Sequence, residues 1–528
     1  MAMKKDSKTT IIDIYIKIVK EKKMSPTRTD LLDRGVSRDT YRANFGNLDK
    51  LSELARAQDP EAFKNLIDEK VFTPKIFKKL KGEVAKYKKF VITTAVTGMP
   101  VHSKFYANLK YYCKVNNALL LILPSSDPAT KGWELDGSLA GEHIVFDDLA
   151  LNSNLFISSF KTSAKQTNPL TGIKRIGQRE RSMIVASTKQ FLEYVPVSNE
   201  KMSHALMTTG SLTLPRYRET DRYMSQRTAY IAEFDHKIAA IVVDIKDDNI
   251  FQFRQIQAEY SNGYFIDIGK YYKINKIEKT IPEAITLGDI HVGETDPVKF
   301  KASEDMIKTL KPKRIFLHDV FDGASISHHT KDQHLTRAEM NLTLKQELEM
   351  TKDELERLSK KHSYVNEWII VRSNHDDFID RYLQDGSYTK DHKNSRMAHE
   401  IALSRLKKNK GYAFEAGLRI LGFDSKKFNF LGINSSYKIQ GLEHGTHGHL
   451  GLNGSRNASN ASLEVGYGPG VYGHSHTAGI LREVFRVGTS TFLRVGYNNG
   501  SSSWTQTDCI TYKNGSRQLI NIINGDWK

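Results

Sequence analysis

The chain has 528 residues and carries 78 Lys and Arg against 61 Asp and Glu, a formal net charge of +17. That length exceeds what one hydrophobic core organises, so two or three domains are expected, and no run of about 18 uncharged apolar residues offers a membrane span. With only Cys113 and Cys509, a disulfide framework and a cysteine-built zinc site are excluded, and a reducing, cytoplasmic setting is expected. The charge points to a polyanionic partner, for which a small-molecule phosphatase has no need.

In chain order, residues 11–21 carry apolar side chains at helical spacing (Ile11, Ile12, Tyr15, Ile18, Val19), interrupted by Asp13 and Lys17, so they read as a helix and not as a secretory signal. Residues 25–33 read as a second short helix. Gly35 makes a turn, and Ser37 caps a third helix through Phe45. The third helix displays Arg38, Tyr41, Arg42 and Asn44, residue types used on phosphates and base edges. The layout resembles a helix-turn-helix module, and residues 1–73 are expected to form a small helical DNA-binding domain.

Residues 74–89 are lysine-rich and read as a basic linker or helix. Phe90–Val96 as a strand, 103–116 as a helix and 118–124 as a buried strand give a βαβ pattern, the start of a middle α/β domain over residues 90–277. No Walker or dinucleotide glycine motif occurs in it. Residues 214–230 interleave Arg216, Arg218, Arg222 and Arg227 with Tyr217, Tyr223 and Tyr230, a mixture that grips phosphates and stacks bases or lies as a solvated loop. Residues 335–361 read as one long amphipathic helix whose apolar stripe covers a sheet.

Metal-type residues then recur, each after an apolar run. Thr286-Leu-Gly-Asp-Ile-His-Val-Gly293 offers Asp289 and His291, which project to one side of an extended segment. Asp319 follows Ile315-Phe-Leu, with Asp322 three residues on, and Asn374, His375 and Asp376 follow Trp368-Ile-Ile-Val. Gly441-Leu-Glu-His-Gly-Thr-His-Gly-His449 supplies His444, His447 and His449, and Gly473-His-Ser-His476 supplies His474 and His476. This oxygen and nitrogen set suits Mn²⁺, Fe or Zn²⁺ better than Ca²⁺ or Mg²⁺. His328, His329 and His334 read as loop residues, and His399 as a helix surface residue.

The series resembles the calcineurin-like metallophosphoesterase family, whose pattern is Asp-x-His, Gly-Asp-x-x-Asp, Gly-Asn-His-Asp/Glu, a lone His and Gly-His-x-His. The resemblance covers about half the chain, from Ile285 onward, and implies an α+β sandwich catalytic domain at the C-terminus, over residues 283–528. His318 and Ser373 stand where that pattern has Gly. The resemblance implies that Asp289, His291 and His476 hold one metal, that Asn374, His444 and His474 hold another, and that Asp319 bridges them. His444 is preferred to His447 because it ends a strand-like run. His375 is then the non-ligand imidazole beside the leaving oxygen, oriented by Asp376. Two divalent ions, Mn²⁺ foremost, would generate hydroxide from water for in-line attack on a phosphodiester. The whole layout resembles the early host-DNA-degrading nucleases of lytic tailed phages, which implies a DNA nuclease in the bacterial cytoplasm and a homo-oligomer. Two alternatives stand beside it. One is a small-substrate phosphomonoesterase or cyclic-nucleotide phosphodiesterase, the other a DNA-binding host-takeover protein that recruits partners.

Overall fold

The computed structural model describes residues 8–23, 25–64, 66–68, 74–125, 134–160, 162–179, 181–198, 203–220, 225–330, 342–408, 412–423, 426–495 and 498–528. It is a mixed α/β structure in two compact units. One comprises Met1–Phe191, Leu206–Ile266 and Tyr271–Glu278, the other Leu192–Ala205, Asp267–Lys270 and Lys279–Lys528. The N-terminal helices and the middle α/β segment, expected as separate domains, thus share one unit.

In the first unit, helices span Lys8–Lys22, Arg28–Asp33, Arg38–Phe45, Leu48–Gln58 and Pro60–Phe63. Their ends follow local chemistry. Thr27 and Asp30 form a reciprocal capping box, and Ser37 Oγ accepts from Thr40 N–H at 3.1 Å. The helices close on a core of Ile11, Tyr15, Val19, Leu31, Tyr41, Phe45 and Leu51. The basic stretch forms a helix, Pro74–Val84. After it, Lys89–Val96 pairs in parallel with Ala118–Ser125 through the helix Ser103–Asn116, within a five-stranded sheet completed by His143–Ile144, Ala239–Ile245 and Phe251–Gln257.

In the second unit, the runs Ala284–Thr286, Arg314–His318 and Glu367–Val371 are apolar and mostly buried, as strands covered on both faces must be. They form the parallel centre of a six-stranded sheet in the order Phe428–Phe430, Glu367–Val371, Arg314–His318, Ala284–Thr286, Thr507–Thr511 and Arg517–Asn521, the last two antiparallel. A second set of strands places Leu442–Glu443 parallel to Gly470–Tyr472, which runs parallel to Val484–Arg486. Ala284, Phe316, Ile369 and Val371 of the first sheet share a core with Ile439 of the second. The helix Leu344–Lys361, capped by Thr343 with Gln346, buries Leu344, Leu348, Leu355 and Leu358; most of the N-terminal part of its expected span, residues 335–341, lies outside the described residues. Parallel strands of both sheets send their carboxyl ends into loops that carry the metal-type residues, where open α/β sheets place their sites.

Candidate metal centre

Five loops build the site. The loop after Ala284–Thr286 and the loop after Arg314–His318 run side by side, with Ile290 N–H donating to the His318 carbonyl (3.1 Å), His291 N–H to Asp319 (2.7 Å) and Val292 N–H to Val320 (3.0 Å). This ladder holds His291 and Asp319 at φ 48° and 42°, and His474 and His476 sit at φ 77° and 53°. Four non-glycine residues in the left-handed region within one site mark strain that the surrounding structure must sustain, and such residues gather at functional sites.

The side chains form two adjoining nests. In one, His291 Nε2 lies 3.1 Å from His476 Nε2 and 3.6 Å from Asp319 Oδ2, and His476 Nε2 lies 3.3 Å from Asp289 Oδ2. In the other, Asn374 Oδ1 lies 3.1 Å from His447 Nε2 and 3.0 Å from His474 Nδ1. Asp319 Oδ2 reaches His447 Nε2 at 3.1 Å, so its carboxylate belongs to both nests. His474 is pinned by its own backbone, whose N–H donates to Asp289 Oδ2 at 2.7 Å. Gly473 leaves the necessary room, because a Cβ there would stand 2.4 Å from Asp289 Oδ1.

The proton arrangement favours cations. His291 Nδ1 faces Asp322 Oδ1 at 3.0 Å, and a carboxylate only accepts, so Nδ1 carries the hydrogen. Its Nε2 lone pair then points at a second imidazole and a carboxylate. Asp289 Oδ1 and Asp319 Oδ1 are buried without a hydrogen-bond partner. Burial and the negative Asp319 push the Asp289 carboxyl up; Asp319, despite burial, is held low by its contact with His447 and by the nearby His375. Burial holds His474 and His476 at about 4, which keeps them neutral and able to donate a lone pair. The residues fit divalent metals of the kind that prefer mixed nitrogen and oxygen ligands.

Two expected roles are corrected. His444 is fully buried and stacks on Phe316 (4.9 Å, 29°), with both ring nitrogens unpartnered. It fills the core beneath the sheet, and His447, at the end of the following turn, occupies the nest. Asp376 does not orient His375. Its Oδ2 accepts from Ser373 N–H at 3.1 Å, while His375 Nδ1 donates to the Asp322 carbonyl at 2.6 Å, leaving Nε2 of the half-buried ring available. His375 falls within one possible ligand group with His291 and Asp319.

Other residues emerge only in three dimensions. His318, where the family pattern has Gly, places Nδ1 3.1 Å from His447 Nδ1 and so aims the Nε2 of His447 into the nest. Trp504 stands edge-on to His476 at 4.2 Å. Behind Asp289, the buried Lys299 Nζ contacts Asp508 Oδ1 (2.7 Å) and Ser490 Oγ (2.6 Å), and Asp508 Oδ1 accepts from Gly288 N–H at 2.8 Å. No local motif announces this network, since Lys299 and Asp508 are 209 positions apart in the chain. The His449 ring lies 6.0 Å from that of His474.

The basic residues expected on DNA lie in the first unit. Arg42 is exposed and Arg38 partly so, but Tyr41 is 2% exposed within the helical core and cannot stack on a base. Its spacing on the helix selected it for packing. Arg216 and Arg218 are exposed; Arg218 pairs with Glu233 at 2.5 Å and lies over Tyr230. Arg222 lies outside the described residues. No helix among the described residues is long and apolar enough to cross a membrane.

No family model and no solved structure matches the chain. Protein A1 of Escherichia phage T5 is 30% identical to it over 477 residues, which cover 84% of this chain and 83% of that protein. A likeness of that degree along most of both sequences means that the chain belongs to the family of the phage T5 Protein A1.

Proposed function

We propose that the protein is a metal-dependent phosphodiesterase of the calcineurin-like type that hydrolyses DNA, and that it serves phage takeover of the host. The observation that carries this reading is the pair of adjoining nests sharing Asp319, with His375 at their more exposed edge. Asp289, His291, His476 and Asp319 would hold one divalent ion, and Asn374, His447, His474 and Asp319 the other, with Mn²⁺ the best match. Bound there, such ions supply Lewis-acid charge and a nucleophile from water at neutral pH.

The chain's own groups do the rest. Asp322 fixes His375 through its carbonyl and His291 through its carboxylate. That leaves His375 Nε2, in the imidazolium form of the ring, to place its proton on the departing oxygen. His318 fixes the tautomer of His447. The net charge of +17 favours a polyanion over a small ester.

Supercoiled plasmid, bis(p-nitrophenyl) phosphate and p-nitrophenyl phosphate, each with Mn²⁺, separate the possibilities. Nicking or linearisation of the plasmid with turnover of the diester is expected. Turnover confined to the monoester would sink the nuclease reading and support a small-substrate phosphatase.

A further inference from the structure

The metal centre acts on one phosphate, and the residues beside His375 suggest what holds the next. The Phe378 ring lies 4.6 Å from His375 and is flanked by His328 at 5.2 Å and His329 at 6.0 Å, whose rings are 3.9 Å apart. Arg381, three residues after Phe378 on the helix Asp377–Gln384, donates from Nη1 to His328 Nε2 at 2.5 Å. A ring nitrogen that accepts this bond is unprotonated, so His328 is neutral and the charge resides on the guanidinium. Burial and the charges of Arg381, His329 and Arg456 hold His328 at about 4. The exposed Arg456 is near enough to act on both imidazoles.

Among the described residues, neither Arg381 nor Arg456 meets a carboxylate. Arg372, just before that helix, differs: it is paired with Asp377 at 2.6 Å and Asp380 at 3.3 Å and lies over Tyr412. Asp377 and Asp380, both of the helix Asp377–Gln384, therefore neutralise Arg372, whereas Arg381 and Arg456 have no acid partner among the described residues. A guanidinium without an acid partner is suited to the planar, two-oxygen face of a phosphate.

We propose that Arg381, steadied by His328 and joined by Arg456 and His329, binds the phosphate next to the scissile one in a nucleic-acid strand, making the site selective for a strand over an isolated diester. The assignment rests on the phosphodiesterase reading above. It is a specificity subsite and takes no part in proton transfer or metal binding.

The test compares Arg381→Gln with the wild type, as full chains loaded with Mn²⁺, on a short oligothymidylate and on bis(p-nitrophenyl) phosphate, which has no flanking phosphate. The ratio of kcat/KM for the oligonucleotide to that for the small diester is expected to fall about tenfold, mostly through KM. An unchanged ratio would overturn the subsite, whatever happens to the absolute rates. A second arm measures labelled oligothymidylate binding by anisotropy in the His375→Ala background, with and without Arg381→Gln, across a salt series. Weaker binding by about tenfold with a shallower salt dependence supports the subsite, and equal binding rejects it. If the wild type hydrolyses neither substrate, the phosphodiesterase reading fails while this arm still decides the subsite. Should Arg381→Gln not fold, Arg456→Gln, on a separate exposed loop, takes its place in both arms.

Discussion

Which nitrogen of which histidine faces the centre decides its chemistry. His447 meets Asn374 and Asp319, whereas His444 meets the ring of Phe316. His447→Ala is therefore expected to lose bound Mn²⁺, measured by elemental analysis of dialysed protein, and His444→Phe to keep it. The reverse pattern would overturn the ligand assignment. Because burial depresses His444 to about 3, far below the unfolded value near 6.5, its neutral ring contributes stability above about pH 6.5 that is lost as pH falls toward 3. His444→Phe should accordingly resist acid unfolding better than the wild type. Asp322 acts on His291 and His375 together. Asp322→Ala is expected to weaken metal affinity by about 10–100-fold, read by chelator competition, while Asp376→Asn leaves that affinity near the wild-type value. Equal losses in both variants would return the orienting role to Asp376.

Elements hold these residues in place from behind. The helix Pro297–Leu310 sends Lys299 under the Gly288–Asp289 turn, where it and Asp508 are 0% exposed. Removing one partner of such a pair leaves a buried charge, so Lys299→Met should cost about 3–5 kcal/mol in urea unfolding. A loss below about 1 kcal/mol would show the pair to be dispensable. The helix Leu344–Lys361 carries Glu347, buried among Ser325 and its neighbours and pushed up by burial to about 7. Its unfolded value lies near 4.3, so the folded state binds the proton more tightly between those values. The stability it contributes is complete below about pH 4.3 and is lost as pH rises through about 7. Glu347→Gln should flatten the decline in Tm between about pH 5 and pH 8; an unaltered decline would remove Glu347 as its source.

At the scale of the whole molecule, two nests drawn from five loops of one unit mean that a metal held there would be linked to the folding of that unit. Chelation should lower Tm, and Mn²⁺ at about 100 times its Kd should restore about 2.7 kcal/mol of stability for each ion bound, with Mg²⁺ restoring less. Equal recovery with Mg²⁺ would contradict a nitrogen-rich centre.

The metal-type residues were legible because each follows an apolar run, and a buried parallel strand ends where its apolar run ends. Asp289, Asp319, Asn374 and His474 could be placed in loops on that ground alone, and the helices of residues 8–45 were legible from the Ser37 cap, the Gly35 turn and a 3.6-residue period. Local pattern could not say which of several close histidines turns inward. His444 and His447 differ by three positions, and only the packing of two sheets sends one against Phe316 and the other to Asp319. Tyr41 shows the same limit, since a helix face reads alike whether it meets a core or a ligand. Lys299–Asp508 and Arg381–His328 were invisible for a further reason: they join segments distant in sequence, and a charge has no period. The sequence by itself determined which donor atoms exist and roughly where strands deliver them. Tertiary structure decided their partners, because a lone pair is aimed by the backbone and the packing around it, and those are set by the whole fold.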